Sequence, residues 1–122
     1  MTISQDLDYR ELLQYVYNSF NARDIDAALE VIHPQADWAN ALEGGLVQGH
    51  SGIREYWSRQ WSYMDPHVKP VNFETDEDGK FVVDANQIIR DLKGNIVSIK
   101  DVQHVFQIED GVIRNMRIRP VL

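Results

Sequence analysis

Two polar side chains stand isolated on otherwise apolar stripes of this chain, and both are of types that handle oxygen functions. His104 is flanked at two-residue spacing by Val102 and Phe106, which on a strand places all three on one face. A polar group buried there without a partner would be costly. Imidazole is also the side chain whose ordinary pKa lies closest to neutrality. His104 could therefore act as a general acid or base, or donate a hydrogen bond to a developing oxyanion. Asn40 follows Trp38 at the same spacing. An amide has no useful basicity, but it can orient a carbonyl, a hydroxyl or a water. Each residue has a structural reading beside the chemical one. His104 could be a core histidine satisfied by a backbone carbonyl or by Asn40, and Asn40 could tie down the loop ahead of Gly44-Gly45. Glu43, the nearest acid to Asn40, could reach over a pocket mouth as a substitute base or simply sit in solvent.

Around these groups the apolar pattern supplies a wall. Ile53, Tyr56, Trp57, Trp61 and Met64 recur on one helical face, the strongest amphipathic signal in the chain. Such an aromatic stripe lines a ligand pocket or packs a core. Trp38, Val16, Tyr17, Val102, Phe106, Met116 and Ile118 complete the expected lining. None of His33, His50, His67 and His104 has a carboxylate partner at i, i+4 on a shared face, so no metal site is expected. With no Gly-x-Gly-x-x-Gly and no serine nucleophile elbow, neither a nucleotide cofactor nor serine hydrolase chemistry is expected. The site reading needs no cofactor.

The elements that must position these residues divide the chain in two. Asp8 to Arg23 is a helix whose inner stripe is Leu12, Leu13, Val16, Tyr17 and Phe20, with Asp8 and Glu11 resembling a capping box. A short second helix starts at the N-cap Asp24, carries Ala28, Leu29 and Ile32 inward, and stops near His33 because Pro34 follows. Ala36 to Ala41 is a short strand, and the chain returns through Leu46-Val47. A third helix follows Gly49 with Ser51 as N-cap and ends at Asp65-Pro66. Beyond it the period becomes two. Strands over Val68–Glu74, Phe81–Asp91, Ile96–Ile108 and Val112–Val121 are joined by Gly-bearing turns, forming an antiparallel meander. Helices ahead of a meander predict an α+β fold of two layers. Long strands twist, so the three N-terminal helices should pack on a strongly bent antiparallel sheet and enclose a conical space fit for a small ligand.

Length and composition bound the rest. At 122 residues the chain has room for one domain. Its net charge of −7 argues against nucleic acid, since an acidic surface repels a phosphate backbone. There is no cysteine, which excludes disulfides and thiolate catalysis. The polar, acidic first residues do not read as a signal peptide, and no apolar run reaches the ~18 residues of a membrane span. A cytoplasmic location is the expectation, with a small apolar organic ligand as partner.

Several local motifs carry a resemblance. Asn21-Ala22-Arg23-Asp24-Ile25-Asp26, the strand ending in Gly44-Gly45, Gly49-His50-Ser51-Gly52-Ile53-Arg54-Glu55-Tyr56-Trp57, and Phe106 to Ile113 with Met116-Arg117 resemble the SnoaL-like and ketosteroid-isomerase-like branch of the nuclear transport factor 2-like superfamily. The resemblance covers nearly the whole chain and implies a cone-shaped, cystatin-like barrel. It also implies aromatic pocket positions at Tyr56 and Trp57 and a homodimer through the outer sheet face, where Ile99 and Val105 mix with Asp101, Gln103 and Gln107. That fold hosts many chemistries. Counting from the motifs, the isomerase base falls on Asn40, its tyrosine on Val16 (a one-residue slip would bring in Tyr15 or Tyr17), and its protonated acid on His104. All three differ, so steroid isomerisation by the standard mechanism is rejected. The expectation is isomerisation, cyclisation or dehydration by proton transfer on a small carbonyl or hydroxyl compound, with His104 as acid/base and Asn40 orienting. The alternative is a non-catalytic ligand-binding or dimeric assembly module.

Overall fold

In the computed structural model, residues 5–119 are described, with side chains from Tyr9 onward. The elements in chain order are α1 (Gln5–Asn21), α2 (Ile25–Leu29), β1 (Ile32–Ala39), β2 (Leu46–Gln48), α3 (Gly49–Trp61), β3 (Asp65–Thr75), β4 (Phe81–Arg90), β5 (Ile96–Glu109) and β6 (Val112–Arg119). The helices pack on a curved, unclosed sheet of order β2-β1-β6-β5-β4-β3. The β3-β4-β5-β6 meander is antiparallel as expected. One pairing departs from the pattern: β1 lies parallel to β6. No helix among the described residues is long and apolar enough to cross a membrane.

Element ends differ from expectation in ways that have local causes. The second helix stops at Leu29 rather than running to His33. Val31 and Ile32 are β-branched and favour extension, and the Val31 carbonyl accepts from the Ile113 N–H at 2.8 Å, drawing the chain into β1 beside β6. Asp24 caps α2 by accepting from the Ala27 N–H at 3.1 Å. Ser51 does not cap α3. Gln48 holds that position, without a side-chain bond. Gly49 is required there: its φ is +72°, and a Cβ would sit 3.0 Å from the Pro34 carbonyl oxygen. Met64 lies past the end of α3, and β3 begins at Asp65, taking in Pro66 and Pro70. An edge strand tolerates both, since half of its backbone has no ladder to complete. The expected Asp8 cap and the strand end at Val121 fall outside the described side chains and residues respectively.

Polar residues near the turns lock the two layers together. Asn21 donates to the Val68 carbonyl at 2.8 Å and accepts from the Val68 N–H at 2.9 Å, satisfying backbone on the free edge of β3. Arg23, at φ 64°, donates to the Pro66 carbonyl at 2.7 Å and pairs with Asp65. His50 donates through Nε2 to the Ile32 carbonyl at 2.6 Å. The core between the layers holds Leu13, Val16, Ile53, Trp57, Val83, Phe106 and Ile113. On the outer face Asp101 accepts from Asn86 at 3.3 Å, and Arg119 pairs with Asp76 of the β3–β4 turn at 4.0 Å.

Candidate ligand cavity

The concave face of the sheet and the helices leave a cavity of about 80 Å³, partly open to solvent. That is smaller than the ~300–1,000 Å³ typical of drug-sized sites, so a bicyclic ligand would extend into the mouth. Val16, Tyr17 and Phe20 enter from α1, and Tyr56, Trp57 and Gln60 from α3. Trp38 comes from β1, His104 and Phe106 from β5, and Met116 and Ile118 from β6. The rings meet edge to face, Trp38 with Trp57 at 5.7 Å and Phe20 with Trp57 at 5.3 Å between centroids. This arrangement stiffens an aromatic wall. Toward solvent the cavity widens into a mouth bordered by Asn40, Gly45, Leu46, Gln87, Lys100 and Val102.

His104 projects into this space from β5 and is 8% exposed. Its Nδ1 lies 2.6 Å from the Tyr17 hydroxyl, and the two rings are nearly parallel. Burial pushes the imidazole down to about 4 and the Tyr17 phenol upward, so both are neutral at pH 7. The Tyr17 proton has no other acceptor among the described residues, which favours one tautomer. Tyr17 O–H donates to Nδ1, and the remaining hydrogen sits on Nε2. Nε2 bonds to no described residue. In that tautomer the hydrogen on Nε2 is left for a cavity group. This corrects the reading of His104 as a group titrating near neutrality: burial without a nearby anion removes its basicity.

Tyr17 also resolves the choice of tyrosines. Tyr15 is exposed and donates to Glu30 at 3.0 Å. The α1 stripe Leu13, Val16, Tyr17 and Phe20 carries Tyr17 inward. Val16 lines the cavity beside it.

Asn40 behaves as the structural alternative describes. It follows the last residue of β1, and its Oδ1 accepts from the N–H groups of Leu42 and Glu43, both at 2.9 Å. Its Nδ2 donates to Glu43 at 3.1 Å. Three of the amide's four hydrogen-bonding positions hold the loop, and Asn40 borders the mouth rather than the inner cavity. Asn40 and His104 both border the mouth, but they are not hydrogen-bonded to each other: His104 pairs with Tyr17 and Asn40 with its own loop. Glu43 is held by Asn40 and by Arg59 at 2.8 Å. Trp61 is off the cavity wall, packed behind Phe20 and Trp57 with the Arg23 guanidinium over its ring. Val102 also belongs to the mouth. Phe20, Gln60 and Gln87 were not expected in the lining. Phe20 and Gln60 continue the i, i+3, i+4, i+7 stripes of α1 and α3, and that spacing was a usable signal. Among the described residues the lining contains no carboxylate.

A curved open sheet under helices, with a cavity between the layers, is the nuclear transport factor 2-like fold. The sequence profile of the SnoaL-like domain matches residues 13–116, and the chain belongs to that family. Among solved structures, TerC co-crystallised with polyporic acid is similar at 25% identity, covering 92% of this chain and 90% of that one, with a TM-score of 0.79. A proposed polyketide cyclase from Sinorhizobium meliloti is similar at 24% identity, over 89% of this chain and 94% of that one, with a TM-score of 0.72. SalBIII, an epoxide hydrolase/cyclase-like enzyme, is similar at 20% identity, covering 97% and 92%, with a TM-score of 0.77. The last two establish likeness of fold. No curated protein matches the sequence.

Proposed function

We propose that the protein binds a small, largely aromatic carbonyl or enol compound in this cavity and promotes proton transfer on it, as in isomerisation, cyclisation or dehydration. The observation that carries the reading is the 2.6 Å Tyr17–His104 contact. It leaves a neutral Nε2–H free inside an aromatic space. A neutral imidazole donor whose orientation is locked by a second hydrogen bond is suited to polarising a carbonyl and holding the charge of an enolate. Because the lining has no carboxylate among the described residues, the proton acceptor is a group of the substrate or a water entering through the mouth. Similarity to TerC, crystallised with an organic ligand, and to cyclase-like structures supports a small-molecule substrate.

The test uses 2-acetylnaphthalene as an aromatic ketone. Binding is followed by quenching of Trp38 and Trp57, which stand in the wall, and proton transfer by NMR of acetyl exchange in heavy water. Binding that weakens in His104→Leu and Tyr17→Phe, with exchange slowed in both, supports the proposal. Binding and exchange indifferent to both substitutions would overturn it. The acid-free lining also favours a second reading, a binding protein without turnover. Affinity lost on substitution with no exchange above buffer selects that reading. Two copies are further proposed to associate through the outer sheet face, where Val97 and Ile99 are 62% and 60% exposed.

A further inference from the structure

Resting on the proposed cavity function, we infer that Gln60 is a second polar anchor, so that the ligand carries two oxygen functions: one for the His104 Nε2–H and one for the Gln60 amide. Gln60 is 7% exposed and lines the inner cavity. Its side-chain amide forms no hydrogen bond with any described residue, although it sits one helical turn beyond Tyr56 and Trp57 on the apolar stripe of α3. The amide is not sealed off: among the described residues the only buried side-chain polar atom without a hydrogen-bond partner is Trp61 Nε1, so the free positions of Gln60 are open to the cavity, where leucine would present none. A cavity water can satisfy the amide while the site is free, and a ligand group can take the water's place.

The position defines the chemistry it selects. Gln60 enters from α3 and His104 from β5, on different walls, so the two ligand groups stand at separate places on its skeleton. An amide both donates and accepts but carries no charge. No charged side chain lines the inner cavity among the described residues. The second group is therefore uncharged, a hydroxyl or a carbonyl. The rings of Trp38, Trp57 and Phe106 around it suit a flat aromatic body. The ligand class is a hydroxylated aromatic ketone or its enol.

The test compares 2-acetylnaphthalene with its monohydroxy isomers by tryptophan quenching and calorimetry. At least one isomer should bind about 5-fold tighter than the parent ketone, the gain of one hydrogen bond. Gln60→Leu should abolish that gain, so that in the variant the isomers bind no tighter than the parent ketone, and Gln60→Met should do the same should the leucine pack poorly. His104→Leu should weaken parent and isomers alike. Isomers that bind no tighter than the parent, or a gain that survives Gln60→Leu, would overturn the role of Gln60 while leaving the cavity function standing. If neither parent nor isomers bind the wild-type protein, the cavity function itself fails.

Discussion

The depressed basicity of His104 makes a quantitative prediction about stability in acid. In the folded protein its pKa is pushed down from 6.5 to about 4, with burial as the cause. At about 1.4 kcal/mol per pH unit of difference, this amounts to about 3 kcal/mol. The direction follows from proton counts. Above pH 6.5 the imidazole is neutral in both states and has no effect. Between pH 6.5 and about 4 the unfolded chain binds a proton that the folded chain refuses, so stability falls with pH. Below about 4 both states are protonated and the loss stops growing. Carboxylates titrate in the same range, so the useful quantity is the difference between wild type and His104→Leu. The variant leaves the Tyr17 hydroxyl without its acceptor, but that phenol is pushed upward by burial and adds only a constant offset in acid. Urea unfolding followed by tryptophan fluorescence in half-unit steps from pH 7.5 to 3.5 should show the wild-type advantage shrinking by about 3 kcal/mol, close to 10 °C in Tm for a chain this size. Imidazole NMR should show His104 titrating near 4. A flat difference, or a resonance titrating near 6.5, would refute both the burial argument and the assignment of a neutral donor.

Three further outcomes follow from the same geometry. Tyr17→Phe removes the partner of His104 Nδ1 and should cost about 1–3 kcal/mol. Its nitrogen NMR shifts should also move from one tautomer toward a mixture, whereas unchanged shifts would mean that the 2.6 Å contact does not set the proton. Asn40→Ala frees the N–H groups of Leu42 and Glu43 and should destabilise by about 1–2 kcal/mol. Affinity for 2-acetylnaphthalene should stay within about 2-fold, and a collapse of affinity would return Asn40 to the binding site. Ile99→Glu, on the outer face, should convert a dimer to a monomer in light scattering with unchanged circular dichroism, and a wild type that is already monomeric would exclude that interface.

The parts of this protein legible in sequence are those whose physics is local. Period-two alternation with Gly-bearing turns describes the meander because each hairpin is decided within about a dozen residues. The parallel β1–β6 pair was not legible, because its partners are some 80 positions apart, as in Ile32 with Ile113. Tyr17 was within reach: positions two apart on a helix point about 200° from one another, so the stripe through Leu13, Val16 and Phe20 admits Tyr17 and turns Tyr15 outward. Gln60 was missed for the opposite reason. It shares the face of Ile53, Tyr56 and Trp57, but an amide adds nothing to the apolar periodicity by which that face is read.

The motifs that reveal the family and the residues that face the cavity are largely different sets, which explains why fold and chemistry separate here. Asn21 clamps the β3 edge, Asp24 caps α2, Gly49 passes under the Pro34 carbonyl, and His50 holds the Ile32 carbonyl. Asn21, Asp24 and His50 satisfy backbone groups and Gly49 permits a close backbone approach, needs that any ligand-bearing version of this architecture shares. Recognition through such residues therefore identifies the scaffold and is silent about the reaction. The chemistry rests on Tyr17 and His104, 87 positions apart, whose meaning arises only when the curved sheet brings β5 beneath α1. Substituting the clamps should alter stability with ligand selectivity intact, and substituting Tyr17, Gln60 or His104 should alter selectivity at modest cost to the fold.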